Sequence, residues 1–559
     1  MGMRTELDAR MDATLAAVTG EGGMLPLGSI DRWGTMLPLI AAAPPSIPAY
    51  FAHYCAEHAD ATFLVAGGER LTFGQVFAVA TDVAYGLVAR GVAVGDRVGI
   101  AGRNSPAWIA TYMGVLMAGG VATLLNGWWQ ADEFGVAIAS VDCALIVADG
   151  PRARRLAAID GLTVVEIDDA APLAEAMAPL VGEKVPLPEL GSDDLATVLF
   201  TSGSTGLCKG AVSDHRAVLQ ATFNYLAQAL MMLGIAAQDG VAPQGQPSTM
   251  LTVPLFHVTA QIPVFLQSFA MGRKLVLIPK WDAEEAMRLI EAEGITYFVG
   301  VPLMSYEMLN HPRRGNYDLS TVTDFAAGGA PRPADHVRRI DAEMGGGAPL
   351  IGYGLTETNA AGTGNWRSNY LAKPTSAGRP SKPLIELAIL ADDGAQLDQG
   401  ETGEIGIRSI VNFREYWNNL AATAAAFTAD GFFRTGDLGY LDEDGYLFIV
   451  DRKKDIIIRG GENISCIEVE AALYAHPAIL EAAVFGVADD RLGEVPVAVV
   501  WTGDATADED GVRRFLGDHL AAFKVPTRIA FADAPLPRLG TEKIDKVGIK
   551  AGYRAAASG

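Results

Sequence analysis

The sequence predicts an α/β fold: a large N-terminal domain of α/β subdomains joined to a β-rich subdomain, then a small α+β domain at the C-terminus. Three observations predict it. From about Ala61, short apolar runs alternate with amphipathic helix-like segments, the order that lays parallel or mixed sheets between helices. After about Lys382 the texture turns to β-rich segments separated by acidic turns. Beyond DRKKD (451–455), roughly a hundred residues read as a self-contained α+β unit, a normal domain size. The expected domains are 1–452 and 453–559.

Taken in order, LTFGQVFAVATDVAYGLVARG (71–91) has apolar residues at helical spacing and stops at Gly91, and DRVGIAG after it reads as a short strand. PAWIATYMGVLMAGGVATLL (106–125) is uncharged and long enough to span a bilayer. Its paired Gly119 and Gly120 split it into a helix-like piece and the β-rich VATLL, so a buried α/β unit is expected, with no second convincing membrane span elsewhere. ATVLF (196–200), KLVLIP (274–279) and TYFVGVP (296–302) read as strands around the helix DAEEAMRLIEAEG (282–294). IELAIL, GEIGIRS and GYLDEDGYLFIVD supply the β-rich part. In the last unit CIEVEAALYAH and GVRRFLGDHLAAF read as helices, AAVFGV and VPVAVVW as strands.

Half of the 559 residues are hydrophobic and 19% are charged, which excludes disorder for most of the chain. The 43 basic against 66 acidic residues leave a formal charge of −23, so neither nucleic acid nor an anionic membrane surface is an expected partner. An anionic ligand then needs a local cradle of backbone N–H groups and cations. Cys55, Cys143, Cys208 and Cys466 are scattered without a CxxC pair, against a disulfide framework and against a structural zinc site. The N-terminal MGMRTELDARMDATL lacks the basic-then-apolar layout of a signal peptide, so a cytoplasmic protein with no integral membrane association is expected. HExxH, GxSxG and GxGxxG are absent, which removes the local support for a metalloprotease, a serine hydrolase or a dinucleotide dehydrogenase.

The strongest local signal is TSGSTGLCKG (201–210), directly after ATVLF. Gly203, Gly206 and Gly210 free the backbone to turn N–H groups inward, Ser202, Ser204 and Thr205 offer hydroxyls, and Lys209 adds a cation, a combination suited to polyphosphate. No GK[ST] follows at the spacing of a Walker A loop. A solvated Gly/Ser turn is the plain alternative.

TSGSTGLCKG closely resembles the phosphate loop of the adenylate-forming superfamily: acyl- and aryl-CoA ligases, peptide-synthetase adenylation domains and beetle luciferases. Further segments resemble its core motifs in the same order: PLFHVTA (254–260), AAGGAP (326–331), YGLTE (353–357), GEIGIRS (403–409), FRTGDLG (433–439), DRKKD (451–455), GGENIS (460–465) and LPRLGTEKIDK (536–546). The resemblance runs from about residue 45 to 550 and points to the acyl/aryl-CoA ligase branch.

It implies ATP and Mg2+ at Thr201, Ser202, Gly203, Ser204, Thr205, Gly206, Lys209, Gly329, Ala330, Tyr353, Gly354, Thr356, Asp437 and Arg452, with coenzyme A as co-substrate. Tyr353 would stack on the purine, Thr356 donate to a phosphate, Glu357 and Thr205 hold Mg2+, Asp437 take the ribose diol, and Arg452 add a cation nearby. Taken alone, GYGLTE reads as a strand exit and helix cap, Asp437 as a turn residue, and Arg452 as part of a solvated basic run. Lys543 matches the superfamily's adenylation lysine, which a mobile loop would bring to the carboxylate and α-phosphate; without the resemblance it is a surface lysine. Glu542 stands before it where the superfamily usually has Gly, and Cys208 stands where the phosphate loop commonly has Pro.

His257, otherwise a core histidine, would gate the passage between acyl pocket and thiol tunnel. Adenylation domains that select amino acids typically carry an Asp in this segment to pair with the ammonium; PLFHVTA has none, so a simple carboxylic acid is implied. The acyl pocket is expected at His257, Val299, Val301, Ala327 and Gly328, with the small residues leaving room for a medium- or long-chain fatty acid; aryl-propenoic and alicyclic acids are the alternatives. The small domain is expected to swing about Lys454 between two half-reactions, bringing Gly460, Gly461 and Glu462 to the CoA side. Lys543, Glu357, Thr205, Lys209 and His257 carry the catalytic roles. Loading of a carrier protein, a luciferase-like oxygenase and a non-catalytic binding protein are the rival readings, and a homodimer is left open.

Overall fold

The computed structural model describes residues 5–143, 145–201, 208–241, 245–278, 280–503, 505–539 and 543–558. A seven-stranded sheet runs in the order Glu415–Tyr416, Lys209–Asp214, Leu195–Thr201, Val121–Leu124, Arg97–Ala101, Leu145–Asp149, Thr163–Ile167. It is parallel except where Lys209–Asp214 pairs with its two neighbours. A nine-stranded sheet sets Ala348–Gly354, Asp324–Gly328, Tyr297–Gly300, Ser248–Leu251, Lys274–Leu277 and Thr62–Ala66 in parallel, flanked by antiparallel strands at both edges. The largest buried cluster draws side chains from both sheets and from the helices Ile47–Glu57, Phe73–Ala89, Pro106–Met117 and His215–Gln238. This is the mixed α/β architecture that the alternating sequence predicts.

Local chemistry accounts for the element ends. Thr72 and Gln75 form a capping box at the start of Phe73–Ala89. The Asp282 carboxylate accepts the Glu285 N–H at 2.8 Å to open Ala283–Glu293, which Gly294 closes at φ +59°. Gly114 lets two core helices touch, since a Cβ there would sit 2.5 Å from Val83 Cγ1. Pro106–Met117 is buried along its whole length and spans 12 residues, too few to cross a bilayer. The described helix that is long and apolar enough to do so is His215–Gln238, which the sequence reading passed over; 61% of its apolar window is buried in the protein.

The β-rich part is a four-stranded antiparallel sheet of Glu386–Leu390, Gly403–Arg408, Phe433–Leu441 and Leu447–Arg452. The small domain is a five-stranded sheet with the helices Cys466–Tyr474, Glu509–Gly517 and Lys546–Ser558. Its second helix is shorter than GVRRFLGDHLAAF suggests, stopping at Gly517, a weak helix former. Ahead of the resembling region lie the helix Glu6–Thr19 and the hairpin Leu27–Arg32/Thr35–Ile40. Asp8 in that helix is 1% exposed and accepts from Arg379 Nη1 at 2.8 Å, Tyr446 Oη at 3.0 Å and Asn369 Nδ2 at 3.1 Å.

Candidate active site

Two clusters form where the strands end. In the first, Leu195–Thr201 and Lys209–Asp214 run antiparallel with Thr201 opposite Lys209, so the glycine-rich segment is their connection. Ser202, Gly203, Ser204, Thr205 and Gly206 lie outside the described residues, as does Glu542. Lys209 Nζ sits 4.8 Å from the Tyr416 ring centroid, and Tyr416 Oη donates to Glu357 Oε1 at 2.7 Å. Tyr416 reaches this place because its two-residue strand pairs with Lys209–Asp214, Ala211 facing Tyr416. No sequence signal singles it out; only that pairing brings it in.

Glu357 follows the strand Ala348–Gly354 on the turn Thr356–Thr358 and is 9% exposed. Burial pushes its carboxyl up, while the Tyr416 hydroxyl and the Lys209 charge pull it back down. The chain doubles back so tightly that a Cβ on Gly354 would meet Ala360 O at 1.9 Å, which only glycine avoids. Among the described residues, no group of three His, Cys, Asp or Glu side chains could cage a metal. One buried hard oxygen beside the glycine-rich segment fits Mg2+, which keeps waters and shares itself with substrate phosphates.

The second cluster joins both domains. Asp437 faces Arg452 across adjacent strands, with Arg452 Nε 3.6 Å from Oδ1 and Tyr353 Oη donating to Oδ2 at 2.7 Å. Burial raises the Asp437 carboxyl, and Tyr353 and Arg452 oppose it. Lys543 crosses from the small domain onto Gly329, where a Cβ would lie 2.8 Å from its Cε and 3.3 Å from its Nζ. Gly329 has φ +78°, so the close approach and the backbone both call for glycine. Burial first, then the Arg452 guanidinium, lower the Lys543 ammonium to about 8 against the pull of Asp437. Burial, and after it the Lys543 charge, lower His257 to about 3, so its ring is neutral. His257 Nδ1 accepts the Thr259 N–H at 3.3 Å and so caps the short helical turn that follows.

The other expected residues are placed as follows. Ala330 follows Gly329, and Thr356 precedes Glu357 on the same turn. Ala327 and Gly328 end the strand Asp324–Gly328, with Gly328 in register with Gly352. Val299 pairs with Ala326 and joins the main core, whereas Val301, one residue beyond its strand, packs with Phe298, Met304 and Phe325 in a second cluster. The two valines therefore pack in different clusters, Val301 lying beyond the strand's alternation. Lys454 is exposed in the turn closed by the Asp455 and Ile456 N–H groups on Arg452 O. Gly460 and Gly461, at φ +61° and +92°, form the exposed tip of the hairpin Ile457–Arg459/Glu462–Ile464, beside Leu492 and outside both clusters.

Residues 51–417 match the AMP-binding enzyme family and residues 468–543 match the AMP-binding enzyme C-terminal domain. A long-chain-fatty-acid–CoA ligase of Mycobacterium tuberculosis is 32% identical over 491 residues, 87% of this chain and 94% of that protein. A feruloyl-CoA synthase of an Amycolatopsis species is 34% identical over 488 residues, again 87% and 94%. Among solved structures, ATP-bound MatB from Rhodopseudomonas palustris superposes with a TM-score of 0.79 at 30% identity, covering 91% of this chain and 99% of that one. The o-succinylbenzoate CoA synthetase of Bacillus subtilis with its acyl-adenylate gives 0.78 at 25%, covering 91% and 98%.

Proposed function

This chain belongs to the family of AMP-binding enzymes and is an acid–thiol ligase, and we propose that its acid is hydrophobic, a medium- or long-chain fatty acid, activated as acyl-AMP before transfer to coenzyme A. The observation that carries this reading is the convergence of Lys543, Gly329, His257 and the Asp437–Tyr353–Arg452 group at one place, with Lys209, Tyr416 and Glu357 forming the neighbouring cluster.

In the first half-reaction a carboxylate oxygen bonds to the α-phosphorus of ATP as the bond to pyrophosphate breaks. Two anions must approach, and the Lys543 ammonium hydrogen-bonds both the attacking carboxylate and the α-phosphate oxygen. Asp437 holds the ribose diol and Tyr353 supports the purine. Glu357, with Thr205, would hold Mg2+, which neutralises phosphate charge when bound. Lys209, steadied over the Tyr416 face, adds a fixed cation on the same side. In the second half-reaction the CoA sulfur bonds to the acyl carbon, the acyl–phosphate bond breaks, AMP leaves and the thiol proton is released. A swing of the small domain at Lys454 would withdraw Lys543 and present the Gly460–Gly461–Glu462 tip, in line with the exposure of both.

The neutral His257 and the apolar Val299 beside Ala326 support an uncharged acyl tail. An aryl-propenoic acid is the second reading, favoured by the identity to the feruloyl-CoA synthase. The test is ATP–pyrophosphate exchange without CoA across fatty, aryl-propenoic, benzoic and alicyclic acids, with Lys543→Ala as control. Exchange strongest with fatty acids and cut by about a hundredfold or more, to a measurable residue, in the variant is expected. Exchange confined to another acid class overturns the fatty-acid reading, and none with any acid overturns the ligase reading itself.

A further inference from the structure

Lys543 lies between the strand Arg528–Phe531 and the helix Lys546–Ser558. The Pro- and Gly-containing composition of this segment suggests a freely moving loop, yet the structure ties it down at both ends. At its start, Glu481, 5% exposed, takes the Leu536 N–H on Oε2 at 2.6 Å and the Arg538 guanidinium on Oε1. At its end, Glu470 of the helix Cys466–Tyr474, 9% exposed, takes the Lys546 ammonium on Oε1 at 2.6 Å and on Oε2 at 2.8 Å. Glu470 Oε1 also takes the Val484 N–H at 2.7 Å, locking it to the central strand Glu481–Asp489. Between the ends, Leu539 N–H donates to Lys543 O and Asp545 N–H to Pro537 O, both at 2.8 Å, and Arg538 bridges Ile544. Leu536 and Ile544 pack with Phe485, Val497 and Ile549.

We propose that Glu481 and Glu470 are positioning residues for the adenylation step, clamping the segment that bears Lys543 so that its ammonium travels with the whole small domain. This rests on the ligase reading above. Each clamp is a buried carboxylate in charge-assisted hydrogen bonds, shorter and stronger than neutral ones. Neither acid touches substrate in this arrangement; both act through the backbone that aims Lys543 at Gly329 and Asp437. Placement matters because a misplacement of about 1 Å costs on the order of a hundredfold in rate.

The test uses the full chain carrying Glu481→Gln or Glu470→Gln, each of which keeps an acceptor and removes the charge. Without any substrate, lysines are labelled with an amine-reactive anhydride across pH and read by peptide mass spectrometry. Lys543 in the unaltered protein should titrate with a midpoint near 8. In the variants that midpoint should move up toward the ordinary lysine range, with labelling normalised to that of exposed Lys184. In parallel, acid-dependent ATP–pyrophosphate exchange should fall roughly tenfold or more, while thioester formation from supplied acyl-adenylate and CoA stays within about threefold. Neither substitution should cost further exchange in a Lys543→Ala background. An unmoved Lys543 midpoint, equal losses in both half-reactions, or a further loss on top of Lys543→Ala overturns the proposal. If the unaltered protein exchanges with no acid, the ligase reading falls, and the labelling still decides whether the two acids hold the arm.

Discussion

Raising the pH should switch off the adenylation step at an unusually low value, through Lys543. Its ammonium is brought from an ordinary 10.5 to about 8, and that difference corresponds to about 3 kcal/mol against the charged form. The sign follows directly: the cation is the working form, its pKa is lowered, and so activity is lost as pH rises through about 8. About half the lysines are charged at that pH and about a tenth one pH unit higher. The assay is kcat/KM for ATP in the exchange reaction, with Mg2+ in excess, from about pH 6.5 to about 9.5, because that ratio reports the free enzyme. A plateau followed by a fall approaching tenfold per pH unit is expected. Lys543→Arg, whose guanidinium stays charged throughout, should flatten that limb at a lower overall rate. Because bound triphosphate favours the ammonium, kcat should fall at a higher pH than kcat/KM. A ratio that stays flat to the top of the range, or an arginine variant that falls in step with the parent, would refute the reasoning.

Three further outcomes are expected. Gly329→Ala sets a Cβ 2.8 Å from Lys543 Cε on a backbone at φ +78°, so exchange should drop by about tenfold or more, with stability lowered by about 1 to 2 kcal/mol from the backbone strain. Tyr416→Phe keeps the ring under Lys209 but removes the hydroxyl from Glu357, and calorimetry should show Mg·ATP binding weakened by about 1 kcal/mol, roughly fivefold. Asp8→Ala takes the carboxylate from the Tyr446 hydroxyl and one of two carboxylates from Arg379, which keeps Asp12, and should lower stability by about 1 to 3 kcal/mol, seen as a lower thermal midpoint with little change in KM for ATP.

The alternation of apolar runs and amphipathic segments was enough to foresee two large sheets, because period and punctuation are local properties: Gly119 and Gly120 do end the helix Pro106–Met117 before Val121–Leu124. The cluster of Lys543, Gly329, Asp437, Arg452 and Tyr353 was legible only through resemblance, since the partners are separated by up to 214 residues and nothing in their spacing joins them. Tyr416 stayed hidden because its role comes from strand pairing, and a two-residue strand has no period to read. Val301 packs in a different cluster from Val299 because the strand that places Val299 stops one residue before it. The clamps on the Lys543 segment were equally invisible, because composition reports how freely a segment can bend, and the buried acids that restrain it lie in other elements.

The burial of Asp8 has a consequence for biosynthesis. Its partners Arg379 and Tyr446 follow it by 371 and 438 residues. At typical elongation rates of about 5 to 20 residues per second, they emerge on the order of 20 to 90 seconds after the helix that needs them. The apolar side of that helix can settle on His215–Gln238 much sooner, because Leu7 meets Ile235 there and Gly234 accommodates Thr14. This helix thus docks in two stages, and its aspartate waits for Arg379 until most of the large domain has left the ribosome.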